Sequence, residues 1–307
     1  MRVVFTKFLT WLPGNVDNRV RAMAWTTFAV QVLIVVTGGA VRLTASGLGC
    51  PEWPTCDGSS IVTTPEMGIH GVIEFANRML TFLLVIVAIA AFASVWRIRR
   101  DRRDLFWLTL LIGLGIPAQA VIGGVSVWMK LNPYVVGLHF VVSIAIIVLS
   151  TLFVLRVRKN EPAAPMLVVP LIAAVAWLVA FAQFVTIILG ILTTGSGPHA
   201  GDAQAPRNGL SSYLLQHLHS YPAYAALGLT VVLLLLAVLG HLNAVRNATI
   251  LLLVVNVAQA VVGIWQSRTG LPPVLVGAHM LLACLVAAAT TVVMYRIRKA
   301  PDAINGI

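Results

Sequence analysis

Residues 118–139 read AQAVIGGVSVWMKLNPYVVGLH, and residues 258–279 read AQAVVGIWQSRTGLPPVLVGAH, an ungapped repeat at an offset of 140. Gln119 matches Gln259, Gly123 matches Gly263 and Leu131 matches Leu271. Pro133 matches Pro273, Gly137 matches Gly277 and His139 matches His279. Two apolar segments share Ala, Val and Leu through composition alone; Gln, Pro, Gly and His in one register do not coincide that way. Working outward, Gln31 and Gly38 align with Gln183 and Gly190, and both stretches lead into Ser-Gly, at Ser46-Gly47 and Ser196-Gly197. Glu74 aligns with Gln216, and Asn77 with His219.

The repeat lies in a chain too apolar for water. Of 307 residues 59% are hydrophobic and 10% charged, with a mean hydropathy of +0.93; a soluble globular chain is about one quarter charged. Apolar stretches long enough to cross a bilayer, about 20 residues each, are expected at 22–42, 69–95, 105–127, 135–155, 166–192, 211–238, 248–266 and 274–294. The fold class is therefore an all-α polytopic membrane protein of eight spans, arranged as two parallel-repeated four-helix bundles. Four spans per copy give both copies the same orientation, related by an axis along the membrane normal. The expected division is residues 1–160 and 161–307, joined by a short basic run at 156–162. Residues 1–21 lack a long apolar core and a small-residue cleavage site, so the first span is expected to serve as an uncleaved anchor.

The net charge of +11 raises the question of nucleic acid, and its distribution answers it. One set of span ends carries Arg2, Lys7, Arg19, Arg21, Arg97, Arg99, Arg100, Arg102 and Arg103, then Arg156, Arg158, Lys159, Arg246, Arg296, Arg298 and Lys299. The opposite loops hold Arg42, Lys130, Arg207 and Arg268, balanced by Glu52, Asp57, Glu66 and Asp202. By the positive-inside rule both termini are cytoplasmic, in a cell membrane. The charge is a topology signal, and no nucleic-acid partner is expected.

His70, His139, His217, His219 and His279 all fall near the outer starts of the second, fourth, sixth and eighth spans, in one stratum of the membrane. Ionisable residues within spans are costly and line sites or pair with one another. His199 and His241 are expected to be solvated. Haem suits the pattern: a porphyrin is an apolar disc that fits between bundle helices, and its iron accepts imidazoles from both faces. The second and fourth spans supply one site, the sixth and eighth another. For a lone histidine an interhelical hydrogen bond is the simpler explanation. The repeated Gly-x-His at 137–139 and 277–279 points instead to a ligand, with the Gly leaving room for a flat ring.

His70, Glu74 and Asn77 follow i, i+4, i+7 spacing and share a helical face. Glu74 is the acid deepest in a span, and two readings stay open: a structural pair with Arg78 one turn below, or a proton-handling group. Cys50 and Cys56, in GLGCPEWPTCDG, lie on the side that permits disulfides. They are read either as a structural bridge or as a redox-active pair, with Trp53 as an interfacial anchor.

Taken together, these residues resemble the haem A synthase family over nearly the whole chain. The resemblance rests on eight spans in two halves, the Cys pair in the first outer loop and IEFANR at 73–78. It rests also on the paired Gly-x-His and on Gln216-x-x-His219. It implies an enzyme, a haem-dependent membrane oxidoreductase of cytochrome oxidase biogenesis. Such an enzyme oxidises a ring methyl of haem O to a formyl group through a hydroxymethyl intermediate. It implies that the first half holds the substrate haem and the second a b-type haem with His219 and His279 as axial ligands. His139 is then a ligand to the substrate iron, Glu74 the essential acid, and Cys50–Cys56 the outer-loop disulfide. A haem O synthase is the implied upstream partner, with no electron-transfer partner named by these residues. The chain departs from the family pattern at Asn77, where a histidine is usual. Either His70 takes its place at the site, or the substrate iron keeps His139 and an open position. The rival reading is a di-haem b-type carrier exchanging electrons with quinone, which needs four histidines but neither Glu74 nor the Cys pair. A transporter leaves the histidine stratum unexplained.

Overall fold

The computed structural model describes residues 12–158 and 170–297. Eight helices long and apolar enough to cross a membrane are found there: α1 (Asn18–Leu43), α2 (Gly68–Val95), α3 (Arg103–Trp128), α4 (Pro133–Arg156), α5 (Pro170–Ser196), α6 (Ser212–Leu239), α7 (Asn243–Arg268) and α8 (Pro273–Ile297). No strand occurs among the described residues. The protein is a multi-pass α-helical membrane protein. The helices outrun their apolar stretches by up to five residues, because hydropathy registers the hydrocarbon core while a helix continues to its cap. Thus α1 begins where the Asp17 carboxylate accepts the Arg19 and Val20 amides at 2.9 and 3.1 Å. The connector is described only to Arg158, so the boundary expected at 160/161 and the start expected at 166 lie outside the described residues, as do Arg2, Lys7, Lys159, Arg298 and Lys299.

The sequence repeat is also a backbone repeat. Between α3 and α4 the chain turns through two left-handed residues, Lys130 (φ 50°) and Leu131 (φ 60°), and the Leu131 amide donates to Ser126 O at 2.7 Å. Between α7 and α8 the same is done by Gly270 (φ 77°) and Leu271 (φ 61°), with the Leu271 amide donating to Gln266 O at 2.9 Å. Each turn closes its helix with a bond of the Schellman kind and hands over to a proline at the first position of the next helix.

In the first half α1 packs on α2, α2 on α3, α3 on α4 and α4 back on α1; α5 to α8 close the same ring. Between the halves α4 packs on α8, α1 on α8 and α4 on α5. Exchanging the halves turns this set of contacts into itself, as across a two-fold axis. The seam is apolar, built on Val35, Ile144, Ile147, Cys284, Ala287 and Ala288.

Each bundle is filled at the end away from the disulfide loop. In the first, Val20, Ala24, Val95, Leu105 and Phe153 interlock; in the second, Val179, Leu233, Leu252 and Val293 do so. The ends near the disulfide loop are left for polar side chains, and His139, His219 and His279 enter there from the starts of α4, α6 and α8, while His70 of α2 is exposed. The loops on that side are stitched across the halves. The Gly47 amide donates to Gly201 O at 2.8 Å, and the Arg42 guanidinium donates to His199 O and Thr194 O. His199 meets Leu271 O at 2.8 Å and is half-buried, so it fastens the α7–α8 turn instead of standing in solvent. His241 is exposed, as expected.

Candidate functional site

In the second half His219 on α6 and His279 on α8 face each other with ring centres 6.3 Å apart and planes at 72°. Imidazole nitrogens bind metals at about 2.0 Å, which with the ring radius sets two rings on opposite sides of one metal roughly 6 Å apart. His219 Nδ1 lies 2.9 Å from Thr186 O. A carbonyl accepts, so Nδ1 carries the proton and Nε2 presents its lone pair, the usual second partner of a metal-bound histidine. His279 Nε2 sits 3.2 Å from the Gln259 side-chain nitrogen, and its Nδ1 is buried without a partner.

Glycines make the room. A Cβ on Gly190 would stand 2.9 Å from His219 Cε1, and one on Gly263 3.0 Å from His279 Cε1. In the first half a Cβ on Gly123 would meet His139 Cε1 at 3.3 Å. At Gly38, the counterpart of Gly190, nothing lies within 4 Å, because the residue opposite in the repeat is Asn77 and not a histidine. Gly190→Ala is therefore expected to push His219 from its place and cost about 1–3 kcal/mol by overpacking. Gly38→Ala should be neutral or stabilising, since alanine favours a helix interior by up to ~1 kcal/mol. Thermal unfolding of the two variants in detergent measures the difference; equal effects would contradict the asymmetry.

Polar atoms left without partners mark the same places. Asn77 Oδ1, Gln119 Oε1 and His139 Nδ1 are buried and unbonded in the first half, as are Gln259 Oε1, Gln266 Oε1 and His279 Nδ1 in the second. Buried polar groups are normally satisfied. In the second half they lie beside the facing His219 and His279, a donor set that fits a haem iron, and in the first beside the single His139.

The face carrying His70, Glu74 and Asn77 does not act as one unit. His70 is exposed at the bundle rim, its Nδ1 2.9 Å from Ser46 Oγ, about 10 Å along the axis from Asn77 at ~1.5 Å per residue. It lines a cleft of about 470 Å³ with Gly49, Pro51, Met67 and Asp202. Glu74 is buried, 6% exposed, and both its oxygens are engaged. Oε2 accepts the Cys50 amide at 2.7 Å, and Oε1 accepts Arg78 Nη2 at 2.6 Å and Nε at 3.1 Å. Arg78 also donates to Thr55 O at 2.9 Å and Cys50 O at 3.0 Å. The pair with Arg78, one of the two readings left open by the spacing, is present, and it also clamps the disulfide loop. His217 is exposed, its ring 4.5 Å from Tyr213, with no part in the facing pair.

Cys50 and Cys56 are joined in a disulfide and fully buried. Trp53, between them, packs against Trp128 at 5.3 Å and lies over Gly124 of α3, where a Cβ would stand 2.3 Å from its ring. Trp128 Nε1 donates to Trp53 O at 2.9 Å. Trp53 is thus held in the protein as a wedge on α3. Gly124→Ala is expected to lift the loop, so that a water-soluble reductant opens Cys50–Cys56 about tenfold faster or more, a free-energy change of ~1.4 kcal/mol. Trapping of free thiols measures the rate, and an unchanged rate would show that the loop is held without Trp53.

Sequence reading missed Thr186, Ser143, Arg42 and His199, whose roles depend on which helices meet. It missed too the buried chain in which Gln183 Nε2 donates to Asn256 Oδ1 at 2.8 Å and Asn256 Nδ2 to Thr230 Oγ1 at 3.4 Å.

A family model described as cytochrome oxidase assembly protein, COX15-CtaA, matches residues 21–209. The chain is 32% identical over 141 residues to the heme A synthase of Bacillus pumilus, covering 44% of this chain and 45% of that protein. It is 33% identical over 142 residues to the heme A synthase of Listeria welshimeri, covering 44% and 46%. With the heme A synthase of Staphylococcus epidermidis it shares 23% identity over 231 residues, 71% and 72% of the two chains. The chain thus spans just under half the length of the Bacillus and Listeria relatives it matches.

Proposed function

Because the chain belongs to the COX15-CtaA family of cytochrome oxidase assembly proteins, we propose that it is a haem A synthase. In this reading it oxidises one ring methyl of haem O to a formyl group through a hydroxymethyl intermediate, and so provides haem A for cytochrome oxidase. The first half, to residue 160, holds haem O as substrate, and the second, from 161, a b-type haem. Both termini are cytoplasmic and the haem sites lie toward the outer face. A haem O synthase is the upstream partner, since so apolar a product does not cross water freely.

His219 and His279 would hold the second haem, with Thr186 O keeping the proton of His219 on Nδ1. His139 holds the substrate iron. Asn77 and Gly38, at the places of His219 and Gly190, would leave its second position open, and His70 stands exposed at the rim. An open position suits a molecule that must enter, react and leave. When bound, the b-type haem supplies electron transfer, and the protein supplies orientation and electrostatics. Glu74 would accept or relay protons, and Arg78 with the Cys50 amide keeps its carboxylate oxygens in place. Cys50–Cys56 closes the loop over the site.

The observation that carries this reading is the difference between equivalent positions of the repeat. His219 with Gly190 corresponds to Asn77 with Gly38, and Gln216, exposed, corresponds to Glu74, buried and ion-paired. A di-haem electron carrier calls for two imidazoles in each half, and that symmetry is broken here. The test is mass spectrometry of haem extracted after co-expression with a haem O synthase. Haem A or its hydroxymethyl precursor, formed only with Glu74 intact, supports the synthase. Protohaem together with unmodified haem O transfers the case to the electron carrier, and absence of haem overturns both.

A further inference from the structure

The repeat places a glutamine beside each C-terminal histidine of a half, yet the two glutamines do different things. Gln259 Nε2 lies 3.2 Å from His279 Nε2, on the lone pair an iron would use. Gln119, its counterpart, has both amide hydrogens engaged elsewhere, one on His139 O at 3.0 Å and one on Ser143 Oγ. Ser143 receives that bond because its own hydroxyl donates to His139 O at 2.9 Å, leaving an oxygen lone pair turned to Gln119. At the position of Ser143 the second half has Ala283, which has nothing to hold a glutamine.

We propose that Ser143 is a positioning residue that draws Gln119 off the His139 imidazole, so that the first half presents a bare histidine to the iron of an incoming haem. Ala283 leaves Gln259 to cover His279, and the second site must break that bond when it loads. This rests on the reading that both histidines bind haem iron. One exchange, serine for alanine, then separates a site that takes haem readily from one that takes it against an internal competitor. A hydrogen bond of this kind is worth roughly a 2- to 10-fold change in binding.

The experiment uses the full chain with His219 and His279 both replaced by Ala, so that only the first half binds, titrated with hemin and followed by its absorption band. Ser143→Ala is expected to weaken binding and slow uptake by roughly 2- to 10-fold, with a shift of the band as Gln119 competes for the imidazole. Ser143→Thr, which keeps the hydroxyl, should restore the parent affinity. So should Gln119→Leu added to Ser143→Ala, because the competitor is then gone. In the converse chain, with His139 replaced by Ala, Ala283→Ser should strengthen hemin binding by a similar factor. Unchanged affinity in Ser143→Ala would overturn the proposal, as would a loss that Gln119→Leu does not reverse, since that loss would reflect damaged packing. If neither chain binds hemin and the unmodified protein does not either, the haem reading itself falls, an outcome distinct from the other two.

Discussion

Replacing Glu74 by glutamine is expected to stop product formation while the spectrum of the second-half haem stays as it was. A carboxylate here accepts from two sides at once, the Cys50 amide at 2.7 Å and the Arg78 guanidinium at 2.6 Å. A glutamine has one oxygen to offer, and its amide nitrogen must then face a donor, either the loop amide or the guanidinium. Breaking a buried ion pair from one side costs about 3–5 kcal/mol. Arg78 keeps the carbonyls of Thr55 and Cys50, so the lower end is expected. Loss of a positioned proton-handling group costs roughly 10²–10⁴-fold in rate, and a loss at the upper end exceeds what ~3 kcal/mol from the loosened clamp supplies. Haem A formed per chain, read with the absorption spectrum, separates the two effects. Turnover within a few-fold of the parent would remove Glu74 from the mechanism and leave it as a clamp.

The second large effect is expected at His279. Its replacement by alanine takes away one of two facing rings and leaves His219 opposite a ring-sized gap lined by Gly263. Partners that only orient a metal ligand are worth about 10–100-fold in affinity, so losing the ligand itself should exceed that. Haem content per chain, measured by extraction, should fall by the second-half share, and the remaining haem should answer to His139. His139→Ala should give the mirror result, with the second-half spectrum kept. His70→Ala should change neither content nor band position, because His70 is bonded to Ser46 at the rim. A chain that keeps its full haem spectrum without His279 would dissolve the facing-pair assignment.

Much of this arrangement was legible because it repeats. Gln, Gly, Pro and His in one register mark α3–α4 and α7–α8, and the same left-handed turn recurs at Leu131 and Leu271. The i, i+4 spacing of Glu74 and Arg78 allowed the pairing that is found, as one of two readings, and five residues between two cysteines allowed a small bridged loop. What stayed hidden was mostly contact between segments far apart in the chain. Arg42 reaches carbonyls some 150 residues on, and a single basic residue near a span end carries no sign of that. His199 reads as a loop residue until the α7–α8 turn is placed against it. Asn256 and Thr230 look like ordinary polar interruptions of apolar helices, since hydropathy counts them without pairing them. Ser143 escaped for the opposite reason: an alignment draws the eye to identities, and its meaning lies in being unlike Ala283. Glu74, Asn77 and His70 share a helical face by spacing, but depth along the axis separates them, with the rim taking one, the loop clamp another and the bundle interior the third.

The set of helix contacts that maps onto itself when the halves are exchanged has an evolutionary reading. Such an interface is what two identical four-helix chains would make as a dimer, with α4 meeting its own copy across the axis. Identical subunits must carry identical mutations, so a histidine lost from one site is lost from both, and no site can take a task its twin does not share. Fusing the genes lifts that constraint. In this chain one half carries Asn77, Glu74 and the bridged loop, and the other the facing pair His219 and His279. Division of labour within a single polypeptide begins with the freedom of each copy to drift alone.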